Sequence, residues 1–332
     1  MTKTLFRMAA LAASMSLCHA WGVRGHREIN RAAVRGIADD GPAFLKAHED
    51  YIVFLGPVPD NWRVGAEPFV KIFEDPNHGW FQEQSPKLMQ NPPRSRYEFV
   101  IELYREYEKT KNPRTNVRWT GTMPYAAVEM YERIQAGMRR YRAAKELGSP
   151  ELKFIELEIA TSAGYLGHYL ADSANPMHNT IHHDGWEGEN PKGYSTDPRV
   201  HGRFETAFVE LIQLTSKEVS ERMPVPKVLD DPFNAMMAHI GSSFAELEHA
   251  YALDKAGAFT DENHEEGRAL VYKQTAAAAS LMRDMLHTAW VRSKEPLRMG
   301  GANDGRNRLN PISPSHPQYN PATGSAPAAK RD

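Results

Sequence analysis

The residues most able to do chemistry lie in one stretch, Gly167-His168-Tyr169-Leu170-Ala171-Asp172-Ser173-Ala174-Asn175-Pro176-Met177-His178. His168 and Asp172 stand four apart, so on a helix they share a face and can share a cation. Pro176 stops that helix, and His178 follows just past the break. Two imidazole nitrogens and a carboxylate form a donor set that suits zinc. A second pair at the same spacing, His201 and Glu205, opens a later helical segment. One such pair is common on helices, whereas two pairs flanking a further histidine are a much narrower pattern. Buried His and Asp side chains without partners are costly, so a metal or a hydrogen-bond network must satisfy them.

Other candidates are weaker when taken singly. Trp21-Gly22-Val23-Arg24-Gly25-His26 precedes Ile29, Ala33 and Ile37 at helical spacing, which predicts a helix beginning near His26. If the chain is cut before Trp21, the freed amino group and the Trp21 carbonyl can chelate a metal together with His26. The alternative is that Trp21 packs and His26 caps the helix. Gly56-Pro57-Val58-Pro59 reads as a loop delivering Asp60, by itself a helix N-cap, and His78 reads by itself as a surface loop residue. Trp62, Trp80, Phe81 and Trp186 lie near candidate ligands in sequence. Such aromatics either pack in a core, cradle a quaternary ammonium or stack an unpaired base.

The elements that must position these groups read as helices. Helical spacing covers 97–107, a segment from the cap Thr122 to Gly148, the central segment from Glu151, and the runs 232–256 and 260–291. No glycine-rich phosphate loop and no Gly-x-Ser-x-Gly occurs. With 332 residues, 41% of them hydrophobic and 25% charged, the chain is long enough to bury a substantial core. A formal charge of −2 supplies no global attraction to nucleic acid or anionic lipid, so a phosphate-bearing substrate must be captured locally. The expected architecture is all-α, a single bundle-like domain over 21–294 that works as a monomer.

Residues 1–20 read as a secretory signal peptide: Lys3 and Arg7 lead, Met8 to Leu17 is apolar, and cleavage falls before Trp21. A membrane span needs about 20 apolar residues, so this run is too short, and no transmembrane helix is expected in the mature chain. The expected location is periplasmic or extracellular. Cys18 is the only cysteine, so the exported domain has no disulfide to hold it. Residues 295–332 are rich in Pro, Gly, Ser and Asn and read as a disordered tail.

In order and type, Trp21, His26, Asp60, His78, His168, Asp172, His178, His201 and Glu205 resemble the ligands of a superfamily. It comprises the zinc-dependent phospholipases C and the mung-bean-type single-strand nucleases. The similarity is carried by Trp21 to His26, Gly167 to His178 and Val200 to Val209. It implies an all-helical domain holding three zinc ions. Asp60, His78, His168 and Asp172 would hold one, and His178, His201 and Glu205 a second. Trp21 and His26 would hold the third, with Asp172 bridging. It implies hydrolysis of a phosphodiester by metal-activated hydroxide, with Asp60 as a ligand or general base. Glu205 where the nuclease branch usually has Asp, and the lack of that branch's cysteines, lean toward phospholipid head-group release. A single-strand nuclease or nucleotidase is the alternative. A third reading, from another class, is a non-catalytic envelope protein stapled by zinc.

Overall fold

The computed structural model describes residues 21–64 and 67–295, and the expected leader and nearly all of the expected tail lie outside them. Every regular element among the described residues is helical, with no strand. Chain order begins with α1 (Gly22–Arg35), a 310 turn (Ala43–His48), α2 (Glu49–Leu55), α3 (Val58–Val64) and α4 (Pro68–Glu74). A second 310 turn (Asp75–His78) leads to α5 (Pro86–Gln90), α6 (Arg96–Thr110), α7 (Val117–Thr120) and α8 (Met123–Glu146). Then follow α9 (Leu152–Ala174) and a 310 turn (Pro176–Asn179). After a long loop, α10 runs as Val200–Gly202, a π-helical turn Arg203–Ala207, and Phe208–Leu211. The chain closes with α11 (Ser216–Ser220), α12 (Pro232–Phe244), α13 (Leu247–Lys255) and α14 (Glu265–Arg292).

Helix α9 is the axis of the fold. It pairs with α8 across a short turn and also packs on α1, α2, α3, α12 and α14. Ile155, Ile159, Leu166 and Leu170 are buried, and so are His168 and Asp172. A helix enclosed on both sides can give one face to the core and the other to a polar site. Its buried apolar side chains belong to one contiguous core running from Trp21 to Ala289, while Phe154 and Leu157 near its start are exposed.

Two glycines let α1 and α2 approach this axis closely. A Cβ on Gly167 would sit 1.9 Å from Asn30 Oδ1, and one on Gly164 would sit 2.5 Å from Leu55 Cβ. The Asn30 amide uses that proximity, donating to the carbonyls of Ile52 at 3.0 Å and Gly164 at 3.2 Å. This clamp ties α1, α2 and α9 together and thereby sets His26 against His168.

Several local expectations are corrected. Asp60 lies within α3 and not on a loop, because Val58-Pro59 supplies the first turn of that helix, where proline is tolerated. His78 is not a surface residue: it closes the 310 turn Asp75–His78 and is buried. The first helix starts at Gly22, before His26, and Trp21 takes a left-handed backbone at φ 52°. The 232–256 run is two helices broken near Ala245, and the last helix starts at Glu265, where the His264 side chain accepts from the Gly267 amide.

Candidate metal centre

Four elements bring the first cluster together: α1 carries His26, α3 Asp60, the 310 turn His78, and α9 His168 and Asp172. All five side chains are buried. His78 Nδ1 lies 3.0 Å from His168 Nε2, 2.9 Å from Asp172 Oδ2 and 3.6 Å from Asp60 Oδ1. His168 Nε2 lies 3.3 Å from Asp172 Oδ2. A tetrahedral ion with ligand bonds of about 2.0 Å separates its donors by about 3.3 Å, so these spacings fit one cation.

The outer nitrogen of His168 fixes its tautomer. His168 Nδ1 donates to the Gly56 carbonyl at 2.8 Å, which leaves Nε2 a bare lone pair. His78 Nε2 lies 3.2 Å from Glu74 Oε1, a charge contact without hydrogen-bond alignment, while its Nδ1 points inward. Glu74 is held in turn by the Tyr169 hydroxyl, which donates at 2.8 Å. Two ring nitrogens and two carboxylate oxygens converge, with a carbonyl behind one imidazole and a carboxylate beside the other, outer partners of the kind that metal sites use.

His26 borders the same cluster from the α1 side, its Nε2 3.7 Å from Asp60 Oδ2. Asp172 Oδ1 lies 3.5 Å from His26 Nε2, while the His78 and His168 contacts are made by Oδ2. Neither ring nitrogen of His26 and neither oxygen of Asp60 has a hydrogen-bond partner, although all are buried. Orphaned donors at the centre of a core are what a bound cation satisfies. His26 stacks on His168 with ring centroids 4.2 Å apart.

A further cluster forms where the turn after α9 meets α10. His178 Nε2 is 3.0 Å from His201 Nε2 and 3.4 Å from Glu205 Oε2, and His201 Nε2 is 2.6 Å from the same oxygen. His178 Nδ1 donates to the His78 carbonyl, so this turn is locked to the first cluster. The Asn175 side chain caps the turn by accepting from the Met177 amide at 3.0 Å, and it donates to Glu205 at 2.8 Å. Asn175 takes the extended backbone that a residue before proline prefers. The π-helical turn sits between His201 and the end of α10, and such turns often re-aim side chains at functional sites. The Trp21 backbone nitrogen donates to Glu205 at 3.2 Å, and its indole donates to Ala171 O at 2.6 Å. Trp21 is thus drawn to the Glu205 side of the centre.

The electrostatics follow from burying imidazoles and carboxylates together. Burial holds the His26 imidazole well below its ordinary range, helped by His168. Burial also opposes a proton on His168, yet Asp172 and Asp60 raise it to about 9. The same contest at His201, with Glu205 and Asp184 on the raising side, ends at about 10. Glu205 is held at about 2 by His201 and His178 against the effect of burial. Asp60 goes the other way: its burial outweighs the attraction of His168 and His78, and its carboxyl is raised. Without metal, protons on His168 and His201 balance the carboxylates.

Several contributors had no role in the sequence reading. Glu74 stands four before His78, the same acid and histidine spacing as the pairs that were noticed, so a signal existed. His183 and Asp184, on the loop after His178, gather beside His201, with Asp184 Oδ1 3.6 Å from His201 Nδ1. No periodicity marks them. Of the aromatics, Trp80 is enclosed, its indole donating to Met89 O at 3.1 Å, and offers no face to a substrate. Trp186 stacks on His182 at 3.9 Å and packs edge-on to Tyr251. Trp62 meets Tyr165 edge-on, and Phe81 lies 5.5 Å from the His183 ring.

The buried His, Asp and Glu groups can hold metal ions, and their donors are compatible with zinc. No protein-family model matches the chain, and no curated protein matches it.

Proposed function

We propose that this protein is an exported, zinc-dependent phosphodiester hydrolase, with phospholipid head groups as its preferred substrate. The observation that supports this reading is Asp172, whose Oδ1 lies 3.5 Å from His26 and whose Oδ2 lies 2.9 Å from His78, a placement in which one carboxylate can serve two ions. A single staple needs one closed site, whereas adjoining sites are the arrangement used to clamp a transferring phosphoryl group. Asp60, His78, His168 and Asp172 would hold one ion and His178, His201 and Glu205 another. His26, with Asp172 and the resemblance-implied Trp21, would hold a third.

Bound zinc supplies positive charge toward phosphate oxygens and makes water acidic enough to ionise near neutrality. The chain's own residues do the rest. Asp60, its carboxyl raised by burial and its oxygens without hydrogen-bond partners, is the group we assign to accept the proton of the attacking water. Glu74 and the Gly56 carbonyl hold His78 and His168 in orientation, and Asn175 does the same for Glu205. Trp62, Trp186 and Phe81, which lies beside His183, are the remaining candidates for head-group contact.

The test is a parallel assay of the zinc-loaded protein on phosphatidylcholine, single-stranded DNA and RNA, with metal analysis of the same sample. Release of phosphocholine, lost in Asp60→Asn, is the expected result. Cleavage of nucleic acid alone moves the reading to the single-strand nuclease. Full zinc occupancy with no activity on any of the three leaves a metal-stapled envelope protein.

A further inference from the structure

Helix α4 projects its apolar side chains into solvent and is anchored inward at Glu74. Phe69, Val70, Ile72 and Phe73 are 79%, 41%, 63% and 76% exposed, although all are large and apolar. At 3.6 residues per turn they cover one continuous arc of about 160°. Of its polar side chains, Lys71 is exposed but tethered, Nζ donating to Arg63 O at 2.9 Å and to Asp75 Oδ1 at 3.1 Å. Glu74 is buried against Tyr169 and His78. An amphipathic helix in water normally does the opposite. Here the Glu74 anchor opposes rotation, because freeing it would remove the carboxylate beside His78 Nε2.

We infer that α4 docks this protein on a phospholipid surface by inserting its outward apolar arc among the lipids. Two quantities favour that occupant. Large aromatic side chains bury roughly 150–250 Å² each, so the arc offers on the order of 500 Å² in all. That is short of the roughly 800 Å² per partner of a stable protein interface, but it suits an apolar face sinking into the head-group boundary. The charge is also wrong for nucleic acid: Lys71 is the only cation on the helix and is engaged, so no cationic track follows the arc. A neutral surface such as phosphatidylcholine is the matching partner.

The placement gives docking a purpose. Helix α4 lies between α3, which carries Asp60, and the turn that carries His78. Anchoring it would hold the two segments that carry these buried candidate ligands against the membrane surface. In that respect the inference rests on the phospholipid reading of the site, but its test does not.

The test is flotation of the full chain with phosphatidylcholine vesicles in the presence of a chelator, so that hydrolysis is silent. The expected result is co-flotation of the wild type and at least a tenfold loss of partitioning in Phe69→Ser combined with Phe73→Ser, at an unchanged melting temperature. A second variant, Phe69→Trp, should show added fluorescence that brominated lipid quenches. Equal flotation of the double variant, no flotation of the wild type, absence of quenching, or a dimer that the double variant dissolves each overturns the inference. Binding without phosphocholine release on zinc addition would leave the docking standing and remove the phospholipase reading alone.

Discussion

His168 Nε2 and His78 Nδ1 face each other at 3.0 Å, with His168 Nδ1 held by Gly56 O on the far side. Two ring nitrogens this close repel unless a proton or a cation lies between them. Asp172 Oδ2, 2.9 Å from His78 Nδ1, completes a negative pocket around that point. Removing the shared carboxylate tests the arrangement most directly. Asp172→Asn should lower the zinc content at more than one position, read by elemental analysis after dialysis. Loss of a single ion would contradict a bridging role.

The outer partners should act through metal affinity. Glu74→Gln and Asp184→Asn each weaken the orientation of one imidazole, and such outer contacts are typically worth about 10–100-fold in affinity. Competition titration against a chromophoric chelator should show the effect of Glu74→Gln at the His78 site and of Asp184→Asn at the His201 site. Unchanged affinities in both would make these contacts incidental.

Proton release offers an independent check. In the metal-free fold His168 and His201 are raised to about 9 and about 10, above the ordinary imidazole value of about 6.5. A group whose folded pKa is raised contributes stability below its unfolded value and loses it as pH climbs through the folded one. The metal-free protein should therefore lose stability between about pH 7 and pH 10. Zinc needs the bare nitrogens, so its binding at neutral pH should release protons and tighten as pH rises through this window. Calorimetry in two buffers of different ionisation enthalpy measures the release, and identical heats in both would sink the idea.

Metal also belongs to the folding equilibrium. Zinc that binds only the folded chain stabilises it by about 2.7 kcal/mol per site at a free concentration a hundredfold above Kd. Chelation should lower the melting temperature accordingly, and zinc should restore it while calcium should not, because calcium prefers all-oxygen ligation.

The glycine seam makes a prediction about stability alone. Gly167→Ala would force a Cβ to 1.9 Å from Asn30 Oδ1, an overpacking that costs about 1–3 kcal/mol and pushes His26 away from His168. Gly241→Ala, in α12 with nothing near its Cβ, should instead stabilise by about 0.5–1 kcal/mol. Urea denaturation of the two variants separates these signs.

The sequence by itself determined the all-α class and the local pairs, because helical spacing and i,i+4 donors are properties of one stretch of chain. The helix ending before Pro176 and the His201 and Glu205 pair needed no tertiary contact to be read, whereas Thr122 holds the N-cap position but donates its hydroxyl to Asn77 instead of capping. Which donors share a site was a different matter. Asp60 and His78 looked unremarkable alone, and only the packing of α3 and the 310 turn on α9 buries them beside His168. His183 and Asp184 arrive through a loop whose path no periodicity records. The outward face of α4 was likewise invisible, since an apolar stretch reads as core until its neighbours show which side is covered. Ligand geometry depends on contacts between residues distant in sequence, and those are set by how whole helices pack.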